Sequence, residues 1–541
     1  KKSTKLDRDG PSSKKRKHQN DGGGKRHGDA VGTYDFYDKK MCAFRHVKHH
    51  QVLAIERGAK DGALSVSVQF LRSNSTDDKE KQMRYLRNRI RSIANKTFVK
   101  NKRCRKRERL IDNSAEESWK RLIRPALVRE TRKKLREDAH ADAIECFANN
   151  VKSLLMQPTR RSHNVLGCDP GFRFGCKLAT VDNQGSMLQT ATIWPVLSSY
   201  RKKRHKGDSS RSNPDPEETI LRMIKEDSVS LIALGNGTAS KDMESWLLEV
   251  LKRKKLNIPC AVVNEAGASV YSTSDEAREE FGSLDPLAIG AISIARRLQN
   301  PLSELVKVPP ASLGVGMYQH DISQKALEKR LDTVVSTVVS NVGVDVNTAS
   351  VALLRHISGL NKKTAMGIYQ HARKKGRFRN RQDLKNVTGI GPKSFEQAAG
   401  FLKIIGGNEK LDETSVHPES YSLARKVLRD SSYKSDLKEE NDIIKQIQFF
   451  LKNKQYDPRG KAGTIINSGP KDIRELKVGS KIRGTVTNCT NFGAFLDIGV
   501  GTSALLHNSQ IGKAPVSIGN VLDLIVLKVD VGRERIGVKV A

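Results

Sequence analysis

The chain holds no uninterrupted run approaching 18 apolar residues, the length that a membrane-spanning helix needs. Nor does its N-terminus carry the apolar stretch of a secretory signal. Cysteine is sparse. Cys42, Cys104, Cys146, Cys168, Cys176, Cys260 and Cys489 are odd in number, scattered, and never spaced as C-x-x-C. Zinc and disulfide frameworks both need clustered spacing, so these thiols read as reduced and intracellular. Acid is scarce as well: 60 Asp and Glu stand against 97 Lys and Arg, a formal charge of +37. Such an excess speaks of partners rather than fold. Polyphosphate is its commonest counterpart, ahead of an anionic membrane surface, and no membrane partner is expected here.

What is present fills several cores. The 541 residues, 37% hydrophobic and 29% charged, suggest about three to five domains. Residues 1–33 form a low-complexity basic tail in which Lys14, Lys15, Arg16 and Lys17 resemble a nuclear-import cluster, or equally a solvated tail. The chain begins at Lys1 inside this stretch, as a fragment of a longer protein would. From Tyr34 the pattern becomes globular, and two short strands are expected, His50–Ile55 and Ala63–Val68, flanking a Gly58 to Gly62 turn. Residues 81–136 carry 21 Lys and Arg against five acidic residues at helical spacing, a surface suited to a phosphate backbone. The run from Ala139 to Leu155 keeps an apolar helical face. Residues 164–310 alternate strand and helix signals, with an exposed basic loop at Arg201–Lys206. Short helices with glycine turns follow over 345–405, then a polar helical module over 408–470.

From Leu476 the hydrophobic period becomes two, and five strands in this length suit a small closed barrel of the OB type. Phe492 and Phe495, three apart around a glycine, can present ring faces to unstacked bases, with Lys481, Arg483 and His507 nearby. Stacking of that kind tolerates any base and favours single strands. Residues 476–541 resemble an S1 RNA-binding domain in the stretch Phe492-Gly493-Ala494-Phe495 and in Leu506-His507, although Asn508 stands where that family has Ser or another small residue.

Upstream, Val387-Thr388-Gly389-Ile390-Gly391-Pro392-Lys393 is a helix–hairpin–helix signal. Its glycines allow backbone N–H groups at a helix N-terminus to meet phosphate oxygens, and Lys393 adds charge. A second copy, Ile357-Ser358-Gly359-Leu360-Asn361-Lys362, has Asn361 for the second glycine, which is expected to tolerate a positive φ there. In the α/β stretch, Asp169 leaves a first strand, Glu265 ends a later one, and Asp285 opens a helix. Three carboxylates converging in this way would hold Mg²⁺ for phosphodiester hydrolysis; carboxylates at strand ends are also common without metal. Arg173 and Lys177 lie nearby in sequence and suit phosphate.

Asp169-Pro170-Gly171, Gly235-Asn236-Gly237, Glu265 and Asp285 together resemble the YqgF/RuvC-type RNase H-like fold. The order of parts, with Val263-Asn264-Glu265-Ala266-Gly267-Ala268, Gly316-Met317-Tyr318-Gln319-His320-Asp321 and Val416-His417-Pro418-Glu419, is similar to the Tex family over roughly residues 40–541. The resemblance implies a multi-domain α+β protein: a tail (1–33), a helical region (34–162) without the family's first helices, an RNase H-like domain (163–310), linker helices (311–344), tandem helix–hairpin–helix motifs (345–405), a helical module (406–472) and an S1 OB-fold barrel (473–541). It implies a scaffold near transcripts that binds RNA, or DNA, alongside transcription or ribosome-associated machinery. Binding requires no cofactor. A Mg²⁺-dependent nuclease using Asp169, Glu265 and Asp285 is the alternative. Gly359, Lys362, Gly389, Gly391 and Lys393 are the expected phosphate contacts of the hairpins. Within the Tyr318–Asp321 motif, the single His and Asp suit a linker pinned to the α/β domain.

Overall fold

The computed structural model describes residues 34–541 apart from 69–83, 86–87, 95, 98–104, 161–162, 172–173, 196–214, 238, 431–432, 434–437, 454–456, 461–472 and 513–515. Lys14–Lys17, Arg173 and the loop Arg201–Lys206 therefore lie outside the described residues. The chain divides into two compact units that meet in sequence at Ala139 and His140.

In the first unit, the expected strand at 50–55 is instead part of helix α1, His49–Lys60. Ala63–Val68 forms no strand either. A short apolar run such as Val52-Leu53-Ala54-Ile55 fits either a strand or one buried helix turn, and tertiary packing decides. Val52 and Leu53 are buried, and Gly58 lies inside the helix against Tyr34 and Leu64 rather than opening a turn. Glu56 takes ion pairs from Arg132 and Arg136. The basic stretch is helical where described: α2 spans Arg105–Ser118, and α3 spans Arg124–Leu155.

The second unit opens on the end of α3, whose Phe147, Val151, Leu154 and Leu155 are buried as the spacing predicts. A five-stranded sheet follows: β1 (Val165–Asp169), β2 (Cys176–Val181), β3 (Met187–Ile193), β4 (Leu231–Gly235) and β5 (Cys260–Val263), in the order β3-β2-β1-β4-β5. The first three are antiparallel; β1, β4 and β5 run parallel, with one helix leading into β4 and another joining β4 to β5. One sheet face packs on α4 (Pro216–Glu226) and α5 (Ser240–Arg253) through Ile220, Met223, Met243 and Leu247. The other packs on α6 (Pro286–Gln299) through Ala291, Ile292, Ile294 and Ala295. Gly167 of β1 admits this helix: a Cβ there would sit 2.1 Å from the Ala291 carbonyl oxygen.

After α7 (Gln324–Val342) come the hairpin helices α8 (Val351–Leu354), α9 (Lys362–Lys374) and α10 (Pro392–Ala399). Then α11 (Tyr421–Arg429) and α12 (Lys438–Lys452) close over Leu411 and Val416 through Ala424, Val427, Ile444 and Ile447. Arg381, only 1% exposed, ties the two helical modules: its guanidinium donates to the carbonyls of Leu402, Thr414 and Val416 and to the Tyr421 hydroxyl.

The last five strands, β6 (Lys481–Thr490), β7 (Gly493–Asp497), β8 (Ala504–His507), β9 (Val521–Asp530) and β10 (Arg535–Val540), close a barrel. Its interior holds Val486, Leu496, Leu506, Leu524, Val526 and Val538. The barrel is docked on α3. Asn150, 3% exposed, reaches the Asn488 side chain at 2.8 Å, the Cys489 carbonyl at 2.8 Å and the Val315 carbonyl at 3.0 Å. Cys146 bonds the same Cys489 carbonyl, and Asn491 bonds Asp142.

Candidate nucleic-acid interface

Strand alternation sets the outer face of the barrel. In β7, Ala494 and Leu496 point inward, which turns Phe495 out; in β8, Ala504 and Leu506 do the same for Leu505 and His507. Register then lays one row across four strands: Phe495 opposite Leu505, Leu505 beside Gly537, Gly537 opposite Lys528. Gly537 leaves the middle of this row without a side chain. Phe492, in the turn before β7, sets its ring edge-on to Phe495 at 6.0 Å and 89°. Both rings are half-buried. The departure at Asn508 is accommodated: its side-chain amide donates to the Asn491 carbonyl, and its backbone N–H to the Phe492 carbonyl, bracing the aromatic turn. His507 Nδ1 lies 2.9 Å from Ser509 Oγ.

Lys481 and Arg483 are not in this group. They lie on the half of β6 that pairs with β9, opposite Ile525 and Asp523, and Arg483 Nε holds Asp523 at 2.8 Å. Phe495 lies beside the other half, opposite Asn488. Nearness in sequence misleads here because β6 leaves one partner strand for another along its length. The cations that register does bring to the aromatic row are Lys528, opposite Gly537, and Arg535, two residues from Gly537 on the same strand; Lys539 lies opposite Ile525, in the row of Lys481. Their signal is the alternation Arg535-Ile536-Gly537-Val538-Lys539, with apolar residues inward.

The two hairpins pack reciprocally. Gly359 (φ +80°) closes on Ser394 and Gln397 of α10, and Gly389 (φ +93°) closes on Thr364 of α9. Both need a glycine for the left-handed backbone. Asn361 does not take a positive φ: it is extended (φ −127°) and N-caps α9, accepting from the N–H groups of Lys363 and Thr364. Gly391 occupies the corresponding extended place before α10 and brings no side-chain cap. The downstream hairpin therefore leaves N–H groups uncapped at a helix start, whereas the upstream one has satisfied its own. Lys362 and Lys393 are exposed at the two helix starts.

The carboxylates gather only in part. Asp169, at the end of β1, sits in a space that Gly290 keeps open, since a Cβ there would lie 2.8 Å from Asp169 Oδ2. Burial, and then the nearby Glu265, push its carboxyl up to about 6. Glu265 is raised by burial, in a cradle formed by Gly235 and Gly237. Arg297, 3% exposed, donates through Nη1 to the carbonyls of Asn264 and Ala266 on either side of Glu265. Its Nε and Nη2 and the Glu265 Oε2 have no hydrogen-bond partner. Asn236 spends its side-chain oxygen on the Glu265 N–H. Asp285 stands apart: exposed, it caps α6 through the Leu287 N–H, and its other oxygen lies 3.7 Å from Lys177 Nζ. Among the described residues no three His, Cys, Asp or Glu side chains are grouped to hold a metal ion. With one carboxylate tied to Lys177 and an arginine beside the other two, these donors do not fit a pair of Mg²⁺ ions.

Family models match in the same order as these parts. They are Tex central region-like over 21–147, Tex protein YqgF-like domain over 163–299, helix-hairpin-helix motif over 339–403, HHH domain over 409–463 and S1 RNA binding domain over 475–540. The chain is 37% identical over 538 residues to protein YdcI of Bacillus subtilis, covering 94% of this chain and 71% of that protein. It is 36% identical to "Transcriptional accessory protein Tex" of Neisseria gonorrhoeae, covering 93% of this chain and 66% of that one. With the human "S1 RNA-binding domain-containing protein 1" the identity is 33%, over 94% of this chain and 58% of the relative. The chain thus spans between about half and three quarters of the length of these relatives. Its domains, their order and this similarity make it a member of the Tex family.

Proposed function

We propose that the chain is a nucleic-acid-binding scaffold of transcription or RNA metabolism, with single-stranded RNA held on the outer face of the barrel. The observation that carries this is the edge-on pair Phe492 and Phe495, at the head of a row that continues through a bare glycine to Lys528. Bases stack on the rings while the cations meet the backbone, and His507 flanks the stack. The uncapped N–H groups before α10, with Gly389, Gly391 and Lys393, take a phosphate; Gly359 and Lys362 make the weaker counterpart. Lys481 and Arg483 would reach only a strand that wraps round to the Val521–Ile525 half of β9. DNA is accepted by the same chemistry. The names of the relatives suggest transcription machinery as the setting, and Lys14–Lys17 suggest nuclear import.

Replacing Phe492 and Phe495 with Ala should each cost about 1–3 kcal/mol per stacked base in titrations with single-stranded RNA. The barrel should stay folded, because neither ring belongs to its core. Unchanged affinity would sink the assignment.

A nuclease reading has one observation in its favour, the buried pair Asp169 and Glu265 with its raised carboxyls, since perturbed groups cluster at active sites. Cleavage of labelled RNA, DNA or branched substrates with Mg²⁺, lost in Asp169→Asn, would establish it against the misfit described above.

A further inference from the structure

A group of cations at the far end of α9 belongs to none of the sites above. Arg373, Lys374, Lys375, Arg377 and Arg379 fall within seven residues, and all five are exposed. Elsewhere on this unit, exposed cations often have carboxylates: Arg425 with Glu409, Arg330 with Glu145, Arg253 with Glu217. Among the described residues none of these five side chains forms an ion pair with a carboxylate; Asp383 bonds only the backbone N–H of Arg379, at 2.9 Å, and Arg377 Nη2 reaches the Ile405 carbonyl at 3.4 Å.

The segment is also built, not loose. Phe378, between Arg377 and Arg379, is buried and stacks on His371 at 4.6 Å. Asn347 holds its backbone from both sides, accepting from the Phe378 N–H at 2.8 Å and donating to its carbonyl at 3.2 Å. Gly376 (φ +101°) makes the turn that carries the chain from α9 to this anchor. A buried ring with cations before and after it fixes the charges on the surface, and Arg373 lies over the Tyr369 ring at 4.5 Å.

Their position extends the upstream hairpin. Eleven residues separate Lys362 from Arg373, so the two lie within roughly 20° of one another around the helix and about 16 Å apart along it. That span matches about five nucleotides of a stacked strand at 3.4 Å each.

We propose that Arg373, Lys374, Lys375, Arg377 and Arg379 form a separate polynucleotide-backbone site, engaged when a strand runs from the upstream hairpin along the exposed face of α9. The inference rests on the nucleic-acid reading above and adds to it a site away from both the barrel and the hairpin turns. It makes the affinity length-dependent: a strand long enough to cover α9 gains these contacts, and a trinucleotide on the barrel does not.

The test uses the full chain, a long unstructured RNA and a trinucleotide, between about 50 and 200 mM salt. In Arg373→Gln/Lys374→Gln/Lys375→Gln, the slope of log K against log salt for the long RNA should fall by about two, at roughly 0.7 per lost phosphate contact to a single strand. Trinucleotide affinity should not change. The reversal Lys374→Glu/Lys375→Glu should weaken the long RNA further, and an unaltered melting temperature in both variants would tie the loss to charge. An unchanged slope for the long RNA overturns the site while leaving the barrel assignment intact. No binding of either RNA by the unmodified chain overturns the broader reading with it. Loss of binding to phosphatidylserine vesicles in the triple variant, with the RNA slope unaffected, would replace the polynucleotide by a lipid surface.

Discussion

Asp169 shows how a single residue reports on the centre of the α/β domain. Its carboxyl is raised from the ordinary aspartate range to about 6, first by burial and then by Glu265. A carboxyl raised on folding binds its proton more tightly in the native state. Stability from this group is therefore greatest below its unfolded value and is lost as pH climbs from about 4 through about 6. At neutral pH the buried charge costs about 2–3 kcal/mol, because each tenfold gain in proton affinity corresponds to about 1.36 kcal/mol. Asp169→Asn should accordingly raise the melting temperature at pH 7–8 and flatten the stability profile between about pH 4 and 6. A profile that keeps its slope in that variant would place the titration elsewhere. Nothing in the spacing of the sequence announces Arg297, which reaches this site from α6 through three-dimensional packing alone.

At the scale of elements, the two hairpins are the sharpest comparison, since Asn361 and Gly391 stand at equivalent helix starts with opposite consequences. Asn361→Ala removes a cap from α9 and should cost about 0.5–2 kcal/mol in urea unfolding, with little effect on nucleic-acid affinity. Gly391→Asn does the reverse: it supplies the missing cap to α10, holds or raises stability, and takes away N–H groups offered to phosphate. Equal affinity for both variants would show that the hairpins do not bind unequally. The glycines of these turns were legible because Gly359 and Gly389 have a conformation that other residues resist. The role of Asn361 was not, because an N-cap and a left-handed turn residue draw on the same amino acids. Barrel strands were legible for a related reason, since a period of two separates inside from outside without ambiguity. Residues His50–Ile55 offer no such separation, so their pattern predicts a strand where a buried helix turn forms. Strand register, which moved Lys481 and Arg483 away from the aromatic pair and brought in Lys528, depends on pairing between distant segments that no local pattern encodes.

At the scale of the whole molecule, the docking of the barrel on α3 through Asn150, Cys146 and Asn491 changes how its sites combine. A module joined to its neighbours only by a tether meets the far part of a bound strand at an effective concentration set by tether length, falling roughly as the −3/2 power of that length. A module seated on a helix meets it at a concentration set by the seat. Insertion of a Gly/Ser stretch into residues 461–472, just before the barrel, should then leave affinity for a long RNA unchanged, and should lower it only when Asn150→Leu accompanies the insertion. A loss from the insertion alone, followed by titration, would show that the barrel works from its tether. Seated in this way, the aromatic face does not search for the rest of its strand; part of the ordering entropy of a second contact is met when the chain folds.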